Sequence, residues 1–300
     1  MVVHLENVWK KYGHFDALQG LSFSVPEGSV FALFGANGAG KTTTIKVLMN
    51  LIEPTMGDAT VLGVNTRALS PKELAQIGYV SENQDMPGRM TVCAYIDYLR
   101  PFYPTWDRSV EADLLGMLRL PPDRRIKDLS HGMRLKMSLA CALPFRPKLL
   151  VLDEPLSGLD PLVRDEFMAG LMPQAGQMTV LISSHELAEI EEITTHVAFL
   201  DRGALLFQET KTDLEARIRE VQVTLESKAF VPVMAPPEWL DIRAAENVLS
   251  FVDTQYSERD LAVRMAALLG TVRHVEAKPV ALRSVYTTLA RAVRDNGVLK

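Results

Sequence analysis

Gly35-Ala36-Asn37-Gly38-Ala39-Gly40-Lys41-Thr42-Thr43 is the stretch whose reading decides the fold. It follows the pattern Gly, four residues, Gly-Lys-Thr. Small residues let backbone N–H groups close around a polyphosphate, and a helix beginning at Lys41 adds the partial positive charge of its N-terminus. Residues 30–34, Val-Phe-Ala-Leu-Phe, precede the loop as a short apolar run suited to a buried strand. Strand, glycine-rich loop and helix in that order predict a nucleotide site. Lys41 would reach the β- and γ-phosphates, and the Thr42 hydroxyl would bind Mg²⁺.

A second half of the same site lies further on. Leu149-Leu150-Val151-Leu152-Asp153-Glu154-Pro155 reads as a buried strand ending in two carboxylates. Ligands of parallel sheets bind at that C-terminal edge. Asp153 would hold Mg²⁺, directly or through water, and Glu154 would polarise an attacking water as general base. A third run, residues 180–183, completes the expectation of an α/β domain with a largely parallel sheet. Residues 2–8 and 21–25 alternate around Gly13 and predict an antiparallel flank. Residues 87–144 carry helical spacing broken by prolines, which predicts a helical insertion. Asp201-Arg202-Gly203 predicts a closing hairpin.

From about residue 212 the character changes. Residues 213–300 balance twelve acidic against twelve basic side chains, so residues 1–212 carry the whole net charge of −5. Strands at 221–225, 248–252 and 272–276 alternate with helices at 258–269 and 282–294, a small α+β domain. Three hundred residues, 47% apolar and 23% charged, suit two globular domains. The net negative charge argues against nucleic acid as a partner. Two cysteines, Cys93 and Cys141, are too few for a disulfide scaffold. No apolar run exceeds five residues, and the first residues lack the blocks of a signal peptide. A soluble intracellular chain is expected, with any membrane role supplied by a partner.

The order of the motifs resembles the nucleotide-binding subunits of ATP-binding cassette (ABC) transporters. Leu129-Ser130-His131-Gly132-Met133 stands where that family has LSGGQ, keeping Ser130 and Gly132 but replacing the first glycine by His131 and the glutamine by Met133. Ser157-Gly158-Leu159-Asp160 resembles its D-loop, and Ser183-Ser184-His185-Glu186 its switch histidine. Tyr12 stands where the family stacks an aromatic on adenine. The resemblance covers residues 1 to about 210. It implies a P-loop ABC ATPase fold with antiparallel flank and helical insertion, with ATP and Mg²⁺ bound through Gly35, Ala36, Asn37, Gly38, Ala39, Gly40, Lys41, Thr42 and Thr43. It also implies catalysis by Glu154 with His185, and contacts from Ser130, Gly132 and Asp160 to the ATP of an opposite subunit. Two such domains, identical or paralogous, would close head to tail over two ATP molecules. The short helical stretch with Phe102, Tyr103 and Trp106 is similar to bacterial two-component exporters, whose permease is a separate membrane chain. The protein would then sit peripherally on the inner face of the cell membrane.

Two departures leave alternatives open. The family's Q-loop glutamine falls on Glu82, with a glutamine only at Gln84, so either could serve the metal. Phe102, Tyr103 and Trp106 suit core packing of the insertion or the wall of a permease-docking groove. Against the exporter reading stands a soluble ABC ATPase working on ribosomes or DNA, which usually carries two cassettes or a long coiled coil. This chain has one phosphate loop and no sustained heptads.

Overall fold

Strands β1 (Val3–Tyr12) and β2 (Phe15–Val25) pair antiparallel, with Val3, Leu5 and Val8 facing Leu21, Phe23 and Val25 in one buried layer. The computed structural model describes residues 1–280 apart from Asn83, Val233 and Asp260, and beyond these Ser284, Val285 and Thr288. Strand β3 (Val30–Phe34) is buried at every position, as a strand covered on both faces must be. It runs through the glycine loop into α1 (Lys41–Leu48). Strands β4 (Met56–Val61) and β5 (Val64–Asn65) extend the flank to the order β2-β1-β4-β5. A capping box of Ser70 and Glu73 starts the short helix α2 (Pro71–Leu74), which delivers the chain to β6 (Ile77–Ser81).

Helices α3 (Val92–Leu99), α4 (Arg108–Met117) and α5 (His131–Ala142) follow, each opened by a side-chain cap: Thr91, Asp107 and Ser130. Then come β7 (Leu149–Asp153), α6 (Pro161–Ala175), β8 (Thr179–Ser184), β9 (His196–Asp201) and β10 (Ala204–Thr210). The main sheet has the order β10-β9-β3-β8-β7-β6. β3 pairs in parallel with β8 and β9, and β7 with β6 and β8. Its register decides the site. Phe34 stands opposite Ser184, and Asp153 opposite both Ser183 and Ser81, so the strand ends form one row at the carboxyl edge.

The chain divides into Met1–Gln208 and Glu209–Lys300, a few residues before the expected boundary near 212. The second unit holds α7 (Lys211–Arg217), β11 (Arg219–Leu225), β12 (Trp239–Ala245), β13 (Val248–Asp253), α8 (Leu261–Leu269) and β14 (Val272–Pro279). Its antiparallel sheet has the order β12-β13-β11-β14, and Met265 of α8 packs with Val223 and Phe251. The helix expected over 258–269 starts at Leu261, and the one expected over 282–294 lies largely outside the described residues. Strand β12 had no sequence signal, because a register shift between Leu240 and Arg243 breaks its alternation.

In the helical insertion only part of the aromatic group is packed. Tyr103 stacks on Phe145 with centroids 4.0 Å apart, and Trp106 donates its indole N–H to Glu111 Oε2 at 2.7 Å. Phe102 remains 60% exposed and meets Tyr98 edge to face, with ring centroids 5.5 Å apart.

Candidate functional site

Gly40 takes φ 106°, a left-handed conformation that favours glycine, and a Cβ there would meet the Ala17 carbonyl oxygen at 2.9 Å. The turn so made sends Lys41 back under the loop. Its ammonium donates to the carbonyls of Gly35 at 2.6 Å and Ala36 at 3.2 Å, and pairs with Glu154 Oε1 at 3.0 Å. Lys41 is buried and Glu154 nearly so, which makes this pair stronger than a surface ion pair. The other oxygen of Glu154, Oε2, lies 2.7 Å from Nδ1 of His185. Lys41, Glu154 and His185 therefore form one chain of contacts across three strand ends.

Glu154 is held in an uncommon backbone conformation, φ 51°, which costs a non-glycine residue about 1 kcal/mol or more. Ser183 fixes it. Its hydroxyl accepts from the Glu154 N–H at 2.9 Å and donates to Asp153 Oδ1 at 2.8 Å. Thr42 donates to the same Asp153 oxygen at 3.1 Å. Burial pushes the Asp153 carboxyl up from its ordinary range, against the Ser183 and Thr42 donors that favour the charged form, and the Glu154 charge adds to the rise. A desolvated carboxylate beside a hydroxyl, both oxygen donors, fits Mg²⁺, which binds through one or two carboxylates and takes its other ligands from phosphate and water. Among the described residues no three His, Cys, Asp or Glu side chains gather into a metal site of their own.

Thr42, Asp153 and Glu154 line a cavity of about 350 Å³ together with Tyr79, Glu82 and Gln84. Glu82 is tied to the sheet by its backbone N–H, 3.2 Å from the Asp153 carbonyl. Gln84 Oε1 is buried without a hydrogen-bond partner. Gln84 also lines a second cavity, about 250 Å³, walled by Tyr95, Leu99, Tyr103 and Phe145. It stands between the two.

Ser130 and Asp160 lie outside this cluster. Each is exposed and caps its own helix, Ser130 accepting from the Met133 N–H at 3.2 Å and Asp160 from the Val163 N–H at 3.1 Å. Gly132 is buried, and a Cβ there would sit 2.8 Å from Val163 Cγ1, so close packing of α5 on α6 demands a glycine. Tyr12 ends β1 about half exposed, with the Lys10 ammonium 5.2 Å above its ring. Sequence reasoning passed over Ser183. The signal was present, since Ser183 directly continues the apolar run Val180-Leu181-Ile182 of a buried strand, where a hydroxyl needs a partner.

A parallel sheet with a glycine-rich phosphate loop, a buried lysine and paired carboxylates at its carboxyl edge defines a nucleotide-binding domain of the phosphate-loop class. Residues 18–157 match the family described as ABC transporter. The chain is 33% identical over 223 residues to the probable multidrug ABC transporter ATP-binding protein YbhF of Escherichia coli (strain K12), covering 72% of this chain and 38% of that one. It is 31% identical to the bacitracin transport ATP-binding protein BcrA of Enterococcus faecalis, over 73% of this chain and 72% of the relative. A solved structure of the ATP binding subunit of an ABC transporter superposes with a TM-score of 0.66 at 26% identity, over 72% of this chain and 92% of that one. The chain belongs to the ABC transporter family, and its first unit is an ABC ATPase domain.

Proposed function

We propose that this chain is the ATP-binding and ATP-hydrolysing subunit of an exporter, powering a membrane permease carried on a separate chain. The contact chain Lys41–Glu154–His185 beside the Thr42–Asp153 pair carries the reading. In it the loop N–H groups and Lys41 bind the phosphates, Glu154 takes a proton from the attacking water, and His185 orients Glu154 and contacts the γ-phosphate. Mg²⁺ held by Thr42 and Asp153 would neutralise phosphate charge. Gln84 serves as the Q-loop residue in preference to Glu82, because its buried oxygen lacks a partner and reaches both cavities. Ser130, Gly132 and Asp160 act on the ATP of a second ABC subunit, identical or paralogous. The names of YbhF and BcrA, multidrug and bacitracin transport, favour export. No helix among the described residues is long and apolar enough to cross a membrane. In this reading the permease supplies the membrane path and holds the subunit at the inner membrane face. The cavity walled by Tyr95, Leu99 and Tyr103, next to Gln84, is the expected seat of a permease helix.

Glu154→Gln tests the chemistry. Removing the base should slow phosphate release ~10²–10⁴-fold while ATP affinity is retained. Sizing chromatography should then show a closed dimer in ATP. Hydrolysis at the parental rate would remove Glu154 from the role of base. Co-purification with a multi-helix membrane protein encoded by a neighbouring gene tests the transport partner.

A further inference from the structure

Helix α6 carries charged side chains that the site described above does not use, Arg164 and Glu166 among them. Arg164, in its first turn, donates through Nε to the Leu159 carbonyl at 3.0 Å and through Nη1 to Glu189 Oε1. Leu159 belongs to the turn that ends in Asp160. Glu189 ends a 3-10 turn, residues 187–189, that begins two residues after His185, and its N–H donates to the Glu186 carbonyl at 3.2 Å. That carbonyl in turn accepts from the Ser184 hydroxyl at 3.1 Å. Glu189 is only 8% exposed, so its contact with a guanidinium is screened little by water. Two residues further along α6, Glu166 accepts from the buried Lys136 of α5 at 2.6 Å. The helix is fastened to α5 on one side and to the His185 segment on another.

We propose that Arg164 is a positioning residue for ATP hydrolysis, holding the His185 segment against Glu154 by clasping Glu189 and the Leu159 carbonyl together. The imidazole reaches Glu154 from a short segment that, among the described residues, is tied by the Ser184 hydroxyl, the Glu189 N–H to the Glu186 carbonyl and the Arg164–Glu189 contact, with Ile190 buried just beyond. Two bonds from one rigid guanidinium fix the angle between that segment and the Leu159 turn, a geometry a lysine could satisfy at only one end. This inference rests on the assignment of His185 to the reacting site.

The test compares Arg164→Met, Arg164→Lys, Glu189→Met and His185→Ala in full-length protein by steady-state phosphate release and thermal unfolding. Displacing a positioned group should lower kcat by about tenfold to a hundredfold. Both methionine variants should show that loss per folded protein with KM for ATP close to parental, Arg164→Met unfolding at lower temperature because Glu189 stays buried without its cation, and Arg164→Lys should recover part of it. The double variant Arg164→Met/Glu189→Met should be no slower than either alone, since both break one contact. The two methionine variants break the clasp from opposite sides, so if one fails to fold the other still reports. Parental kcat in the folded clasp variants, beside an impaired His185→Ala, overturns the inference alone. Parental kcat in His185→Ala overturns the site assignment and the inference with it. Loss of kcat only in proportion to loss of folded protein assigns the clasp to stability and also overturns it.

Discussion

His185 Nδ1 lies 2.7 Å from Glu154 Oε2, between residues separated by 31 positions in sequence. The contact joins the end of β8 to the end of β7 and leaves the second carboxylate oxygen to Lys41. A carboxylate held between an imidazole and an ammonium has its orientation fixed before any water arrives, which is what a general base needs.

Lys41→Ala should weaken nucleotide binding by about tenfold or more, since the proposed charge-assisted contact of Lys41 with phosphate would be lost. It also leaves Glu154 without its cationic partner. Isothermal titration with a non-hydrolysable ATP analogue measures the affinity, and an unchanged value would remove Lys41 from the site.

Gln84 and Glu82 can be separated by substitution. Gln84→Ala should reduce Mg-dependent ATPase activity and its response to a bound permease, whereas Glu82→Ala should do less, because its backbone contact with the Asp153 carbonyl survives the change. Phosphate release titrated with Mg²⁺ reads both. The reverse ranking would return the role to Glu82.

Gly132→Ala sets two effects against each other. Alanine gains up to about 1 kcal/mol of helix propensity. Its Cβ, however, would press on Val163 Cγ1 at 2.8 Å, and overpacking costs about 1–3 kcal/mol. Net destabilisation is expected in chemical unfolding, with partial recovery in Gly132→Ala/Val163→Ala. A stabilised single variant would show that α5 and α6 can separate freely.

Glu189 should give the stability a pH dependence of defined sign. Burial raises its carboxyl from 4.5 to about 7, against the opposing Arg164 guanidinium and a smaller pull from His185, with Glu186 adding to the rise. The folded chain thus holds this proton more tightly than the unfolded chain. The associated stability is full below about pH 4.5 and is lost as the pH rises through about 7. Glu189→Gln should flatten that decline in urea unfolding series, and an identical slope in both proteins would exclude Glu189 as its source.

The sequence by itself determined the elements whose signals are local. An all-apolar run can only be a buried strand or helix, a Gly-rich loop ending in Lys-Thr needs an anion, and Ser130 ahead of a helical pattern is a cap. These follow from propensity, backbone freedom and hydrogen-bond demand within a few residues, so β3, the phosphate loop, β7 and the start of α5 were all legible. Tertiary structure alone decided what meets across the sheet. The parallel register that sets Asp153 opposite Ser183 brought a serine to both Asp153 and Glu154 at the carboxyl edge of the sheet, and no local pattern encodes which strands become neighbours. Packing of α5 on α6 gave Gly132 a steric reason that the signature motif does not contain. That the Gln84 oxygen is buried without a partner is likewise a property of the folded surface around it, which no local pattern states. The clasp of Arg164 with Glu189 joins residues 25 positions apart in sequence, which only the folded chain brings together.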